Sequence, residues 1–196
     1  MSQSEKDSPS LVPFMCQHEH SLSFQELVRQ LELTDQPLSV STIRYVLENL
    51  SFTSDEINGL VEFSEDTYFR KQLFKNDQCE LLMMSWLNGQ RSKIHDHLHT
   101  SCGVKVLMGQ ATETLFMRAD NQHIYATGSD VHPQGSVTAS MDSDIHQISN
   151  LQSDNQRLIT LHLYSPPLKK FRFYHLETGK QDWFDSESMD AWIYEI

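Results

Sequence analysis

From Tyr68 onward the chain is a succession of short segments rich in β-branched and aromatic residues, and that texture restricts it to an all-β body. CELLMMSW, SCGVKVLMG, ATETLFMR, QHIYATG, IHQISN, LITLHLYS and FRFYHLE follow one another with turn signals between them. Many short strands at such spacing form an antiparallel sandwich or barrel. The preceding region reads differently. Ser23 followed by Glu26 has the pattern of a helix capping box, and Phe24, Leu27, Val28 and Leu31 form a helical apolar stripe. A second helix is predicted from Ser41 to Leu50, with Ile43, Val46, Leu47 and Leu50 on one side. A third, capped by Thr53 or Ser54, carries Ile57, Leu60 and Val61. Residues 1–20 are expected to be a flexible leader. Residues 21–196 are expected to form one mainly β domain, with small N-terminal helices over about 21–65.

Charge and cysteine content narrow the function classes. The chain has 196 residues, enough for one well-buried domain. A net charge of −12, from 27 acidic against 15 basic residues, argues against nucleic acid and anionic membranes as partners. There is no apolar run of about 18 residues, so no membrane span is expected. The start, MSQSEKDSPS, lacks the basic-then-apolar layout of a secretory signal. Cys16, Cys79 and Cys102 are odd in number and widely spaced, which points to a reduced, cytoplasmic setting. A monomer is expected. The Cys16, His18, His20 cluster sits in the leader and reads as solvated polar sequence.

The chemistry concentrates between Gly89 and Gly109. His95 and His97 are two residues apart in a segment that reads as a strand, where side chains at i and i+2 share a face. Two imidazoles side by side can chelate one metal ion. A third histidine in strand context, His146, follows. Three neutral nitrogen ligands with a position left for substrate indicate a catalytic metal. Imidazoles suit iron, nickel, copper and zinc alike, and Cys102 would add a thiolate, so the ligand set by itself leaves the metal open. His99 alternates with the first pair, but lies ~13 Å from His95 along an extended strand and reads as a rim residue.

The spacing Gly89-x5-His95-x-His97-x4-Cys102-x6-Gly109 is similar to the first motif of cupins, small jelly-roll barrels, with Cys102 where Glu is usual. His146-x3-Asn150 resembles the end of their second motif, with Met141 and Ser143 where Pro and Gly are usual. The resemblance implies a cupin (jelly-roll) β-barrel with small N-terminal helices.

Two further segments sharpen this. Ile94-His95-Asp96-His97 with Cys102, and Leu161-His162-Leu163-Tyr164-Ser165-Pro166-Pro167, resemble the IHDH and LHLYSPP segments of cysteine dioxygenases, non-haem iron enzymes. The resemblance runs from about Tyr68 to Tyr174. It implies Fe(II) held by His95, His97 and His146, with L-cysteine and O2 as substrates and cysteine sulfinate as product. It also implies a thioether between Cys102 and Tyr164, and a substrate carboxylate held by Arg70 of the Tyr68-Phe69-Arg70 segment. The family's Ser-x-His-x-Tyr relay reads Thr160, His162, Tyr164 here, which keeps the hydroxyl. The alternation puts all three on one face of a strand. Ser165-Pro166 is the cis peptide that the family suggests. Two other functions compete. A 3-mercaptopropionate dioxygenase would carry its carboxylate-binding arginine just past SPP, where this chain has Phe171 flanked by Lys170 and Arg172. A non-catalytic metal-binding cupin would turn nothing over. Met83, Met84 and Trp86 read as barrel core. The tail after Tyr174 either lids the site or finishes the sheet, with Asp182 to Glu187 a solvated acidic face.

Overall fold

The computed structural model describes residues 21–98, 100–141 and 144–185. The leader with its Cys16, His18 and His20, the rim residue His99 and the end of the acidic tail lie outside the described residues.

The three helices start where their caps dictate. The Ser23 hydroxyl accepts from the Glu26 N–H and the Glu26 carboxylate accepts from the Ser23 N–H, which begins helix α1 (Phe24–Glu32). Ser39 caps α2 (Val40–Asn49), one residue earlier than the apolar pattern indicates. Thr53 and Glu56 form a second capping box at α3 (Ser54–Leu60). Strands β1 (Leu22–Ser23) and β2 (Leu50–Ser51) pair in parallel and tie the first two helices together. No helix among the described residues is long and apolar enough to cross a membrane.

The remainder is a jelly-roll β-barrel made of two antiparallel sheets. The first has the order β3 (Phe69–Lys75), β4 (Glu80–Trp86), β11 (Leu158–Ser165), β6 (Ser101–Met108), β9 (Val137–Met141). The second has the order β13 (Gln181–Asp185), β12 (Lys170–Tyr174), β5 (Ile94–His95), β10 (Ile145–Ser149), β7 (Gln110–Arg118), β8 (Ile124–Pro133). Strand β13 completes the sheet beside β12, so the tail as far as Asp185 extends the barrel. Asp182 is exposed there as expected, but Phe184 turns inward and stacks on Phe171.

Strands β4 and β11 are buried along their whole length because both faces are covered. On β4 and β11, Leu81, Met83, Ile159, Leu161 and Leu163 face the helices and pack with Leu27, Ile43, Val46 and Leu47. Leu82, Met84, Trp86, Leu158 and Tyr164 face the barrel interior with Ala111, Ile148 and Phe171. Met83 and Met84 thus serve two different cores. The same alternation explains β6. Cys102, Val104 and Val106 point inward. Lys105 points out and donates to the carbonyls of Leu47 (2.7 Å) and Leu50 (2.5 Å), placing a cation at the C-terminal end of α2. Between them Gly103 meets α2 so closely that a Cβ would overlap Ile43 Cγ2 and Leu47 Cδ1. Gly89 and Gly109, the glycines that frame the histidine motif, both have left-handed backbone, with φ of 86° and 79°.

The close approach at Gly103 has a measurable cost if removed. Gly103→Ala forces α2 off the sheet and is predicted to lower stability by about 1–3 kcal/mol, as overpacked cores do. A thermal melt checks this: a midpoint several degrees lower is expected, and an unchanged one contradicts the packing described.

Candidate metal centre

The second sheet brings two of the histidines together directly. His146 on β10 is the cross-strand partner of His95 on β5. Strand β5, however, ends at His95, so His95 and His97 do not share one strand as the alternation alone predicts. The chain bends after Asp96, whose N–H donates to the Arg172 carbonyl, and Leu98 follows with a φ of 47°. The bend turns a row of side chains into a triangle. His97 Nε2 lies 3.2 Å from His95 Nε2 and 3.4 Å from His146 Nε2. The potential ligand atoms of the three residues all lie within 4.8 Å of one another. Cys102 is not part of this group, which answers the thiolate alternative.

Hydrogen bonds fix which nitrogens face inward. His95 Nδ1 donates to the Lys93 carbonyl at 2.9 Å, and His146 Nδ1 donates to the Glu113 carboxylate at 2.6 Å. Both rings therefore turn Nε2 toward His97. Burial pushes the His95 imidazole down to about 3, helped by the nearby His146 and Arg70. Burial, His146 and His95 likewise hold His97 well below the ordinary histidine range. Neutral rings with converging lone pairs repel unless a proton or cation sits between them. His97 can donate to only one of its two neighbours. Three imidazoles converging in this way form a donor set that suits a single metal ion.

Asp96, between the two histidines, anchors the bend. Its buried carboxylate accepts from Arg172 Nε at 2.8 Å and from the Tyr174 hydroxyl at 2.7 Å. Its other oxygen and the Nδ1 of His97 have no protein partner. Sequence reasoning passes over this cluster, and the only signal for it is the Asp within the HDH motif.

The three histidines form one wall of a small cavity. Tyr68, Arg70, Met84, Trp86, Tyr164 and Phe171 are among the other residues that line it. Arg70 is the one lysine or arginine lining it among the described residues. Tyr68, two residues before it, is buried, hydrogen-bonds with Arg70 and stacks on Trp86 with ring centroids 4.0 Å apart. The flanks of Phe171 point elsewhere: Arg172 pairs with Asp96 at 2.6 Å and Lys170 with Asp185 at 2.8 Å. Phe171 itself stands edge-on to His95.

On β11, Thr160, His162 and Tyr164 line up on the interior face. Thr160 Oγ1 is 2.9 Å from His162 Nε2, and His162 Nδ1 is 3.3 Å from the Tyr164 hydroxyl. Trp86 Nε1 donates to Thr160 Oγ1 at 3.0 Å. Trp86 is buried as the sequence implies, but it also lines the cavity and ends this hydrogen-bond chain, so core packing is only part of its role. Burial, then the charge of Arg70, keeps His162 well below its ordinary range. Burial, reinforced by the Cys102 thiol, raises the Tyr164 phenol. Cys102 on β6 is the direct cross-strand partner of Tyr164. The Ser165-Pro166 peptide bond is cis.

A sequence model of cysteine dioxygenase type I matches residues 15–177. Cysteine dioxygenase type 1 of Danio rerio is 27% identical over 164 residues, covering 80% of this chain and 81% of its own length. The Homo sapiens protein of that name is 25% identical over 160 residues, covering 80% and 79%. Among solved structures, TT1209 from Thermus thermophilus is 14% identical, with a TM-score of 0.48, covering 57% of this chain and 94% of that one. An RmlC-like cupin protein from Desulfovibrio desulfuricans is 17% identical, with a TM-score of 0.44, covering 60% and 99%. The family match spans the helices, both sheets except strand β13, and every residue of the site, and this chain belongs to the cysteine dioxygenase type I family.

Proposed function

We propose that the protein adds both atoms of O2 to the sulfur of L-cysteine at an Fe(II) ion held by His95, His97 and His146, yielding cysteine sulfinate. The balance is RSH + O2 → RSO2⁻ + H⁺. The O–O bond breaks, two S–O bonds form, and sulfur loses the four electrons that oxygen gains. The observation that carries the reading is one small cavity with three convergent imidazoles and a single arginine in its lining. When bound, the iron supplies the affinity for a thiolate and the redox chemistry with O2. The proposal takes the enzyme as a cytoplasmic monomer without nucleic-acid or membrane partners, in keeping with the net charge of −12.

The other roles fall to the protein's own groups. Arg70 offers a planar fork that grips the substrate carboxylate, and Tyr68 steadies that fork through its hydroxyl and its stack on Trp86. The relay has a direction. Trp86 N–H only donates, so it occupies one lone pair of Thr160 Oγ1, and in this reading the hydroxyl gives its own proton to His162 Nε2. His162 then carries its proton on Nδ1 and donates to the Tyr164 oxygen, which leaves the phenol proton aimed at the cavity. A raised phenol keeps that proton and donates a hydrogen bond to bound substrate or oxygen.

Oxygen uptake by the iron-loaded protein tests the function. Consumption with L-cysteine is expected to exceed that with 3-mercaptopropionate by a wide margin. Arg70→Ala should raise KM for cysteine about 10- to 150-fold, the equivalent of a charged hydrogen bond of about 1.5–3 kcal/mol. Equal or reversed preference would assign the chain to the mercaptopropionate enzymes, and no uptake despite bound iron would make it a binding module.

The reading includes a thioether between Cys102 Sγ and the Tyr164 ring, supported by their cross-strand pairing. The link forms with loss of two hydrogens, O2 being the oxidant. Intact mass after turnover should therefore fall by about two hydrogens in linked chains. Cys102→Ser should abolish the difference, and a wild-type mass that never changes would refute the link.

A further inference from the structure

The three proposed ligands differ in what holds their outer nitrogen. His95 donates to a neutral carbonyl, and His97 Nδ1 has no protein partner. His146 alone donates to a carboxylate, Glu113 of β7, at 2.6 Å. Among the described residues no other carboxylate hydrogen-bonds to one of these three rings. Glu113 is itself held at both ends: its second oxygen is 3.2 Å from Nε2 of His132 on β8. The arrangement is layered, with side-chain exposures of 11% for His146, 20% for Glu113 and 23% for His132. Burial opposes a charge on Glu113, but the hydrogen bonds to His146 and His132 outweigh it and hold the carboxyl below its ordinary range.

A carboxylate behind a ligand imidazole draws on the Nδ1 proton and makes Nε2 a stronger donor. In this site the effect has a particular weight. The three ligands are neutral, whereas the common non-haem iron site has two histidines and a carboxylate. Negative charge missing from the ligand set stands one residue further out.

We propose that Glu113 is a positioning residue for the metal centre: it fixes the His146 tautomer and supplies the outer negative charge that favours the oxidised metal, while His132 clamps its second oxygen. The inference rests on the reading of His95, His97 and His146 as metal ligands. Electron withdrawal by the bound ion strengthens the Nδ1–H···O bond, so Glu113 and the ion reinforce each other. His132 keeps the carboxylate from rotating away.

The test uses Glu113→Gln, which keeps the shape and an acceptor oxygen but removes the charge, and His132→Phe, which removes the clamp. Fe(II) affinity by chelator competition and the Fe(III)/Fe(II) midpoint potential are read on wild type and both variants, with circular dichroism as the check on folding. Glu113→Gln should weaken Fe(II) binding by about 10- to 100-fold, the usual effect of losing such a partner, and raise the midpoint potential. His132→Phe should change both in the same direction by less. Wild-type affinity and potential in a folded Glu113→Gln protein would overturn the inference while leaving the three-histidine site intact. Failure of the wild type itself to bind iron would overturn both. If Glu113→Gln does not fold, the His132→Phe values decide: a shift supports the role and none refutes it.

Discussion

Three imidazoles with their lone pairs turned toward one point are stable in a buried setting only with positive charge between them. His95 and His146 have committed their Nδ1 protons outward, to Lys93 and Glu113, so neither can relieve the conflict by donating inward. Burial keeps His95 and His97 neutral, so these two rings do not resolve it by taking up protons either. The surrounding fold serves this convergence. The His95–His146 cross-strand pair sets two corners of the triangle, and the bend held by Asp96, Arg172 and Tyr174 sets the third.

The barrel gives the site its other properties. Because β4 and β11 are covered on both faces, the polar residues in their apolar runs have only the interior to face, and there Thr160, His162 and Tyr164 satisfy one another. Trp86 links that chain to Tyr68 and so to Arg70. Phe171, packed between His95 and Phe184, closes one side of the cavity. The arginine and the imidazoles are thus held around one cavity by separate strands.

Much of this is legible in the sequence, for identifiable reasons. The HDH and LHLYSPP segments carry their meaning locally, so His95, His97, Tyr164 and their neighbours stand out without knowledge of the fold. Alternation within one strand is enough to align Thr160, His162 and Tyr164. What escapes the sequence depends on pairing between distant strands. Glu113 meets His146 33 residues away, and Arg172 reaches Asp96 across 76 residues. In the sequence these are a glutamate on a half-exposed strand and an arginine in an acidic protein. Trp86 looks like core because it is core, and its hydrogen bond to Thr160 appears only once β4 and β11 are in register. The alternation rule itself misleads at His97, where the strand stops two residues short and a bend does what the pleat alone would not.

X-ray absorption on the iron-loaded, substrate-free protein bears most directly on the convergence of the three rings. Scattering from three imidazoles with no sulfur neighbour is the predicted result. A sulfur at bonding distance, or fewer than three imidazoles, would contradict it.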